Sequence, residues 1–194
     1  LLLIQTGGLG FMSVALLFSL VARRRITPRE RILFAQSQNI SDLSGIVKFA
    51  KFIVYGTLIA EAVGAVLLSI RFIPEFGIAD GIFKSIFHSV SAFCNAGFDT
   101  LGRYNSLCDY VADPLVSLVI CALIIVGGLG FFVWRDLFLF FKKRQRLTTY
   151  SKIVLCTTAI MLVGGTILLF FFECENPRFV SFSKPKLFLA SFFQ

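Results

Sequence analysis

The side chains of this sequence that could carry chemistry are few. Glu61 stands alone inside an apolar run, His88 is the only histidine, and Asp99 follows the turn Phe93-Cys94-Asn95-Ala96-Gly97-Phe98. His88 has no cysteine or aspartate at metal-ligand spacing, so packing or hydrogen bonding suits it better than a proton relay. The five cysteines, Cys94, Cys108, Cys121, Cys156 and Cys174, match neither a zinc pattern nor CxxC. No HExxH and no GxSxG occurs, so neither a metal site nor an enzyme is expected. What remains is coordination chemistry. Cys94, Asn95, Ala96, Gly97 and Phe98 form a turn of small and apolar residues whose backbone carbonyls could meet a cation, with carboxylates at Glu61 and Asp99 to attract one.

The elements that must position this turn are membrane spans. The chain is 57% hydrophobic and 15% charged, against about 45–50% and about 25% in soluble domains. About 20 apolar residues cross the hydrocarbon layer. Residues 1–22, 115–134 and 153–172 do so without a formal charge, and 52–70 does so with Glu61 alone. In lipid the backbone must satisfy its own hydrogen bonds, so all four are expected as helices of an all-α integral membrane protein.

The net charge of +8 could suggest nucleic acid, but its distribution answers to topology. Thirteen basic residues border two connections: Arg23, Arg24, Arg25, Arg29, Arg31, Lys48 and Lys51 in one, Arg135, Lys142, Lys143, Arg144, Arg146 and Lys152 in the other. Six border the remaining two. The basic connections, 23–47 and 142–152, are therefore placed in the cytoplasm. Span one runs inward, two outward, three inward and four outward. The bilayer is the expected partner, and nucleic acid is not.

The chain starts at Leu1, already inside an apolar run, and reaches Gln194 just after another begins at Leu187, so a fragment of a longer protein is expected. Internal repetition agrees. Gly7-Gly8-Leu9-Gly10-Phe11 returns as Gly127-Gly128-Leu129-Gly130-Phe131, and Ser85-Ile86-Phe87-His88 is echoed by Ser191-Phe192-Phe193-Gln194. The boundaries that follow are 1–22, the end of a first repeat; 23–47, a cytoplasmic linker; 48–141, a complete second repeat; 142–152, a second linker; and 153–194, the start of a third. Gly7, Gly8, Gly10, Gly127, Gly128 and Gly130 are candidates for close helix packing or for a hinge.

Within the second repeat, residues 80–99 are too apolar for an ordinary loop. A helix over 81–93, with Asp80 as N-cap, would be about 20 Å long, too short to cross. Since both flanking spans fix its ends outside, it is expected to be re-entrant. Its carboxyl end would carry about half a negative charge toward the membrane centre. Irregular backbone at that depth is tolerated only when buried or lining a wet path. The residues alone also fit an external amphipathic helix turning at Asn95-Ala96-Gly97.

The string Phe87-His88-Ser89-Val90-Ser91-Ala92-Phe93-Cys94-Asn95-Ala96-Gly97-Phe98 closely resembles the second pore loop of the Trk/Ktr/HKT potassium transporter superfamily. Gln5-Thr6-Gly7-Gly8-Leu9-Gly10-Phe11 and Val126-Gly127-Gly128-Leu129-Gly130-Phe131, followed by Arg135-Asp136-Leu137, resemble the ends of its first two repeats. The likeness covers essentially the whole chain and is strongest to the bacterial Ktr membrane subunit. It implies repeated helix–pore-loop–helix units, four around one pathway, with Gly97 as the key filter glycine and Cys94, Asn95, Ala96 and Phe98 beside it. It also implies potassium uptake across the bacterial plasma membrane, often sodium-dependent, by a homodimer on a cytosolic nucleotide-binding ring. A sodium-selective member, or a secondary transporter of another solute, is the alternative.

Overall fold

The computed structural model describes residues 1–9, 32, 46–102, 106–174 and 183–194. Gly10, the rest of the first expected span, and Arg23, Arg24, Arg25, Arg29, Arg31, Arg103 and Arg178 lie outside these. The described residues form α1 (Leu2–Leu9), α2 (Ile46–Phe76), α3 (Ile78–Phe93), a 3-10 turn (Cys108–Tyr110), α4 (Pro114–Gly128), α5 (Phe131–Lys143), α6 (Thr149–Cys174) and α7 (Lys184–Phe193). The expected spans 52–70 and 153–172 fall inside α2 and α6, each long and apolar enough to cross a membrane.

The third expected span, 115–134, is not one helix. α4 and α5 together are long and apolar enough, but they meet at 98°. The break falls at Gly130, whose φ of +85° is left-handed and closes the helix to a side chain of ordinary hand. A broken helix leaves carbonyls without their usual partners. One of them is recovered: the Trp134 indole Nε1 donates to the Val126 carbonyl at 2.8 Å. The same ring meets Phe93 and Phe131 edge-on at 5.6 and 5.7 Å. Trp134→Phe keeps an aromatic ring and removes the donor. It is expected to cost about 1 kcal/mol, read as a lower thermal midpoint of the solubilised full-length protein. An unchanged midpoint would show that this bond does not hold the break.

The short helix also starts earlier than expected. Its N-cap is Gly77, with φ +84°, rather than Asp80. Pro74 and Gly77 end α2 with almost no linker, so the reversal is completed three residues sooner. Asp80 then lies in the first turn of α3, where a carboxylate still complements the helix dipole.

α2, α3 and α4 enclose a buried cluster of Leu68, Phe72, Ala92, Phe93, Tyr110, Val116, Ile120 and Leu123. Outside it, α2 exposes Val63, Val66 and Ile70, and α6 exposes Ile160, Met161 and Leu168, as suits surfaces solvated by hydrocarbon. At the other end of the molecule, Asp136 of α5 accepts hydrogen bonds from Thr148 Oγ1 and, at 2.6 Å, from Ser151 Oγ. Thr148 Oγ1 accepts the Ser151 N–H at 3.3 Å, a helix cap that ties α5 to the start of α6.

Candidate functional site

α3 runs antiparallel along α2. Near its start, the Cα of Gly81 lies so close to Ile73 that an added Cβ would fall 2.6 Å from the Ile73 Cα. Near its end, Ser89 Oγ donates to the Glu61 carbonyl at 2.7 Å. The helix therefore descends from the end of α2 to its middle and stops. After the turn the chain climbs again. Arg71 Nε meets Asp113 at 2.8 Å, and Tyr110 packs edge-on against Phe72 at 5.4 Å. Ten residues of α2, about 15 Å, separate the level of Glu61 from that of Arg71. Burial, then a hydrogen bond to Glu75, pushes the Tyr110 phenol well above its ordinary value at this upper end.

The turn itself has a defined chemistry. The Asn95 N–H donates to Ala92 O at 3.1 Å and the Ala96 N–H to Ser91 O at 2.9 Å. With Asn95 left-handed at φ +54°, this is a Schellman helix end. Asparagine is the residue after glycine that best tolerates that conformation. Gly97 is left-handed as well, at φ +70°, while Ala96 between them is not. Ser91 Oγ then donates to the Phe98 carbonyl at 2.7 Å and holds the climbing strand to the descending helix.

A cavity of about 260 Å³ lies against this strand, lined by residues that include His88, Asn95, Gly97, Asp99, Ile124 and Phe193. Asp99 serves two geometric ends: it borders the cavity and its Oδ1 accepts the Leu101 N–H at 3.1 Å. His88 Nδ1 sits 2.7 Å from the Lys84 carbonyl. A carbonyl only accepts, so Nδ1 carries the proton and Nε2 is left as acceptor. That Nε2 is buried and has no partner among the described residues. Also among the described residues, no three His, Cys, Asp or Glu side chains are placed to hold a metal ion.

The two glycine motifs meet at this turn. At Gly127 an added Cβ would lie 1.9 Å from the Phe93 carbonyl oxygen. At Gly8 it would lie 2.3 Å from Cys94 Sγ. The neighbouring Gly7 has nothing within 4 Å, and Gly128 meets only Asn95 Nδ2, at 3.7 Å. Glu61 does not border the cavity. It is 6% exposed, and its carboxylate accepts from Gln5 Nε2 at 2.9 Å.

Sequence reasoning assigned no role to Gln5, Trp134, Gly64 or Gly81. A signal existed for Gly64: Gly56, Ala60 and Gly64 recur every four residues, the spacing of close helix contacts in lipid. A Cβ at Gly64 would lie 2.6 Å from Ser89 Oγ. Ser85 donates to Gly81 O at 2.7 Å and Ser191 to Leu187 O at 2.9 Å, both four residues back and both buried.

Comparison with known proteins supplies the context. The TrkH family profile, described as a cation transport protein, matches residues 1–175. Potassium/sodium uptake protein NtpJ of Enterococcus hirae is 46% identical over 166 residues, 86% of this chain and 36% of the relative. The Ktr system potassium uptake protein B of Bacillus subtilis is 37% identical over 90% of this chain and 39% of its own. Its namesake from Vibrio alginolyticus is 37% identical over 99% and 42%. The chain thus spans about two fifths of the length of these relatives.

Proposed function

The chain belongs to the TrkH cation transport family, and from that premise we propose that its full-length protein takes up potassium across the bacterial plasma membrane. Residues 78–99 are one re-entrant pore loop, and residues 48–141 one complete repeat of four around a shared pathway. The observation that carries this reading is the turn at half the depth of α2, where a helix ends on its carbonyls and left-handed Asn95 and Gly97 flank Ala96. Such a turn presents backbone oxygens of the kind that replace an ion's hydration shell, and the helix end adds partial negative charge.

In this reading Cys94, Asn95, Ala96, Gly97 and Phe98 make the filter segment, and Asp99 draws cations to the outer mouth. The protein transports rather than catalyses, with potassium as cargo and sodium as a coupling or activating ion. It works as a homodimer on a cytosolic nucleotide-binding ring, with the basic linkers facing that ring. The names of the relatives support the cargo: potassium in the Ktr proteins, potassium and sodium in the Enterococcus protein. The test is ion flux into vesicles that contain the full-length protein. Potassium uptake outpacing sodium uptake is expected. Sodium uptake outpacing potassium would make it a sodium-selective member, and no flux of either would reject the pathway.

A further inference from the structure

Glu61 has an unusual position for an acid in a membrane span. It lies at the level where α3 ends, yet it is not among the residues that line the cavity beside Asn95, Gly97 and Asp99. Its carboxylate meets Gln5 of α1, 56 residues earlier in the chain, at 2.9 Å. The Cys94 thiol of the turn approaches both partners, 3.9 Å from Glu61 Oε1 and 4.0 Å from Gln5 Oε1, at the long end of a thiol hydrogen bond. Gly8, one helical turn beyond Gln5, lets α1 lie directly against Cys94. The filter turn is therefore touched by α1 at two points, one polar and one steric.

We propose that Glu61 is a positioning residue for ion selectivity: with Gln5 it locks the filter turn of the second repeat to the inward helix of the first. The inference rests on the pathway reading above. Glu61 is buried and Gln5 half-buried, and a buried carboxylate in a span that loses its donor keeps the cost of its desolvation. The bond thereby transmits the position of one repeat to the filter of the next. An ion cage built of carbonyls depends on their placement, and a turn released from its neighbour would hold potassium less well.

The test compares four variants of the full-length transporter in cells lacking other potassium uptake. Membrane abundance, KM for potassium and discrimination against sodium are measured together. Glu61→Gln keeps an acceptor oxygen for Gln5 and is expected to stay within about twofold of wild type in KM. Glu61→Leu and Gln5→Leu each break the lock and leave the other polar group without its partner. Each is expected to raise KM about tenfold and to reduce discrimination, with less effect on maximal rate. The double variant Gln5→Leu/Glu61→Leu leaves neither group stranded, so it should recover membrane abundance, but it also lacks the lock and should keep the raised KM and the reduced discrimination. The proposal is overturned if Glu61→Gln alone reproduces the leucine phenotype, because the charge then acts on the ion directly. It is also overturned if both leucine variants match wild type, or if neither reaches the membrane and the double variant does not rescue them. Absence of potassium uptake by the wild type would instead remove the pathway reading itself.

Discussion

Gly127→Ala in the full-length transporter is expected to lower potassium uptake at least tenfold, while Gly128→Ala one position on leaves it close to wild type. The difference comes from what each new methyl meets. At Gly127 it would stand 1.9 Å from the Phe93 carbonyl oxygen, with the carbonyl carbon at 2.9 Å. Both atoms are backbone, so neither can rotate aside. At Gly128 the nearest atom is Asn95 Nδ2 at 3.7 Å, an ordinary contact. Overpacking of this kind costs about 1–3 kcal/mol when side chains can adjust, and more when they cannot. The displaced group is the last carbonyl of α3, immediately before the turn. Relief requires either that α4 move away or that the turn shift, and both alter the strand at 94–98. Equal uptake by the two variants would separate the α4 contact from the pathway.

Gly97→Ser is the second large effect, and its cause is conformational. Nothing lies within 4 Å of a Cβ at Gly97, so space is not the constraint. The constraint is φ at +70°, where an ordinary side chain costs about 1–2 kcal/mol. A serine there is expected to weaken potassium affinity and to erode discrimination against sodium, because the strand relaxes toward negative φ and turns its carbonyls. Gly77→Ala is the control. It puts a similar strain, φ +84°, at the reversal between α2 and α3. It should lower stability and leave discrimination intact. If Gly77→Ala changed selectivity as much as Gly97→Ser, global destabilisation rather than the filter would explain both.

The hairpin was legible in one dimension. A run too apolar for a loop and too short for a span, between two runs long enough to cross, can only be re-entrant or external, and its turn had to carry Asn95 and Gly97. The paired glycines were visible for the same reason, since a repeated string needs no third dimension. Their separate roles were not visible. Gly8 and Gly127 are pressed against the turn while Gly7 and Gly128 are not. That depends on how α1 and α4 rotate about their axes, which many distant contacts set together. Asp80 is another case. Local propensity made it a sound N-cap, but the tight reversal at Gly77 took the helix start three residues earlier.

Glu61 shows where the division falls. The sequence by itself determined that a lone acid lies in an apolar run long enough to cross a membrane, that basic residues gather at two of the connections, and that a short apolar segment lies between two such runs. These follow from span length, charge asymmetry and backbone hydrogen bonding, all of which are read locally. Only the tertiary structure decided that Glu61 meets Gln5 and does not line the cavity, and that the third apolar run breaks at Gly130 with Trp134 closing the gap. Hydrogen bonds between helices far apart in sequence depend on the helices' relative rotation and depth. No pattern within either helix carries that information.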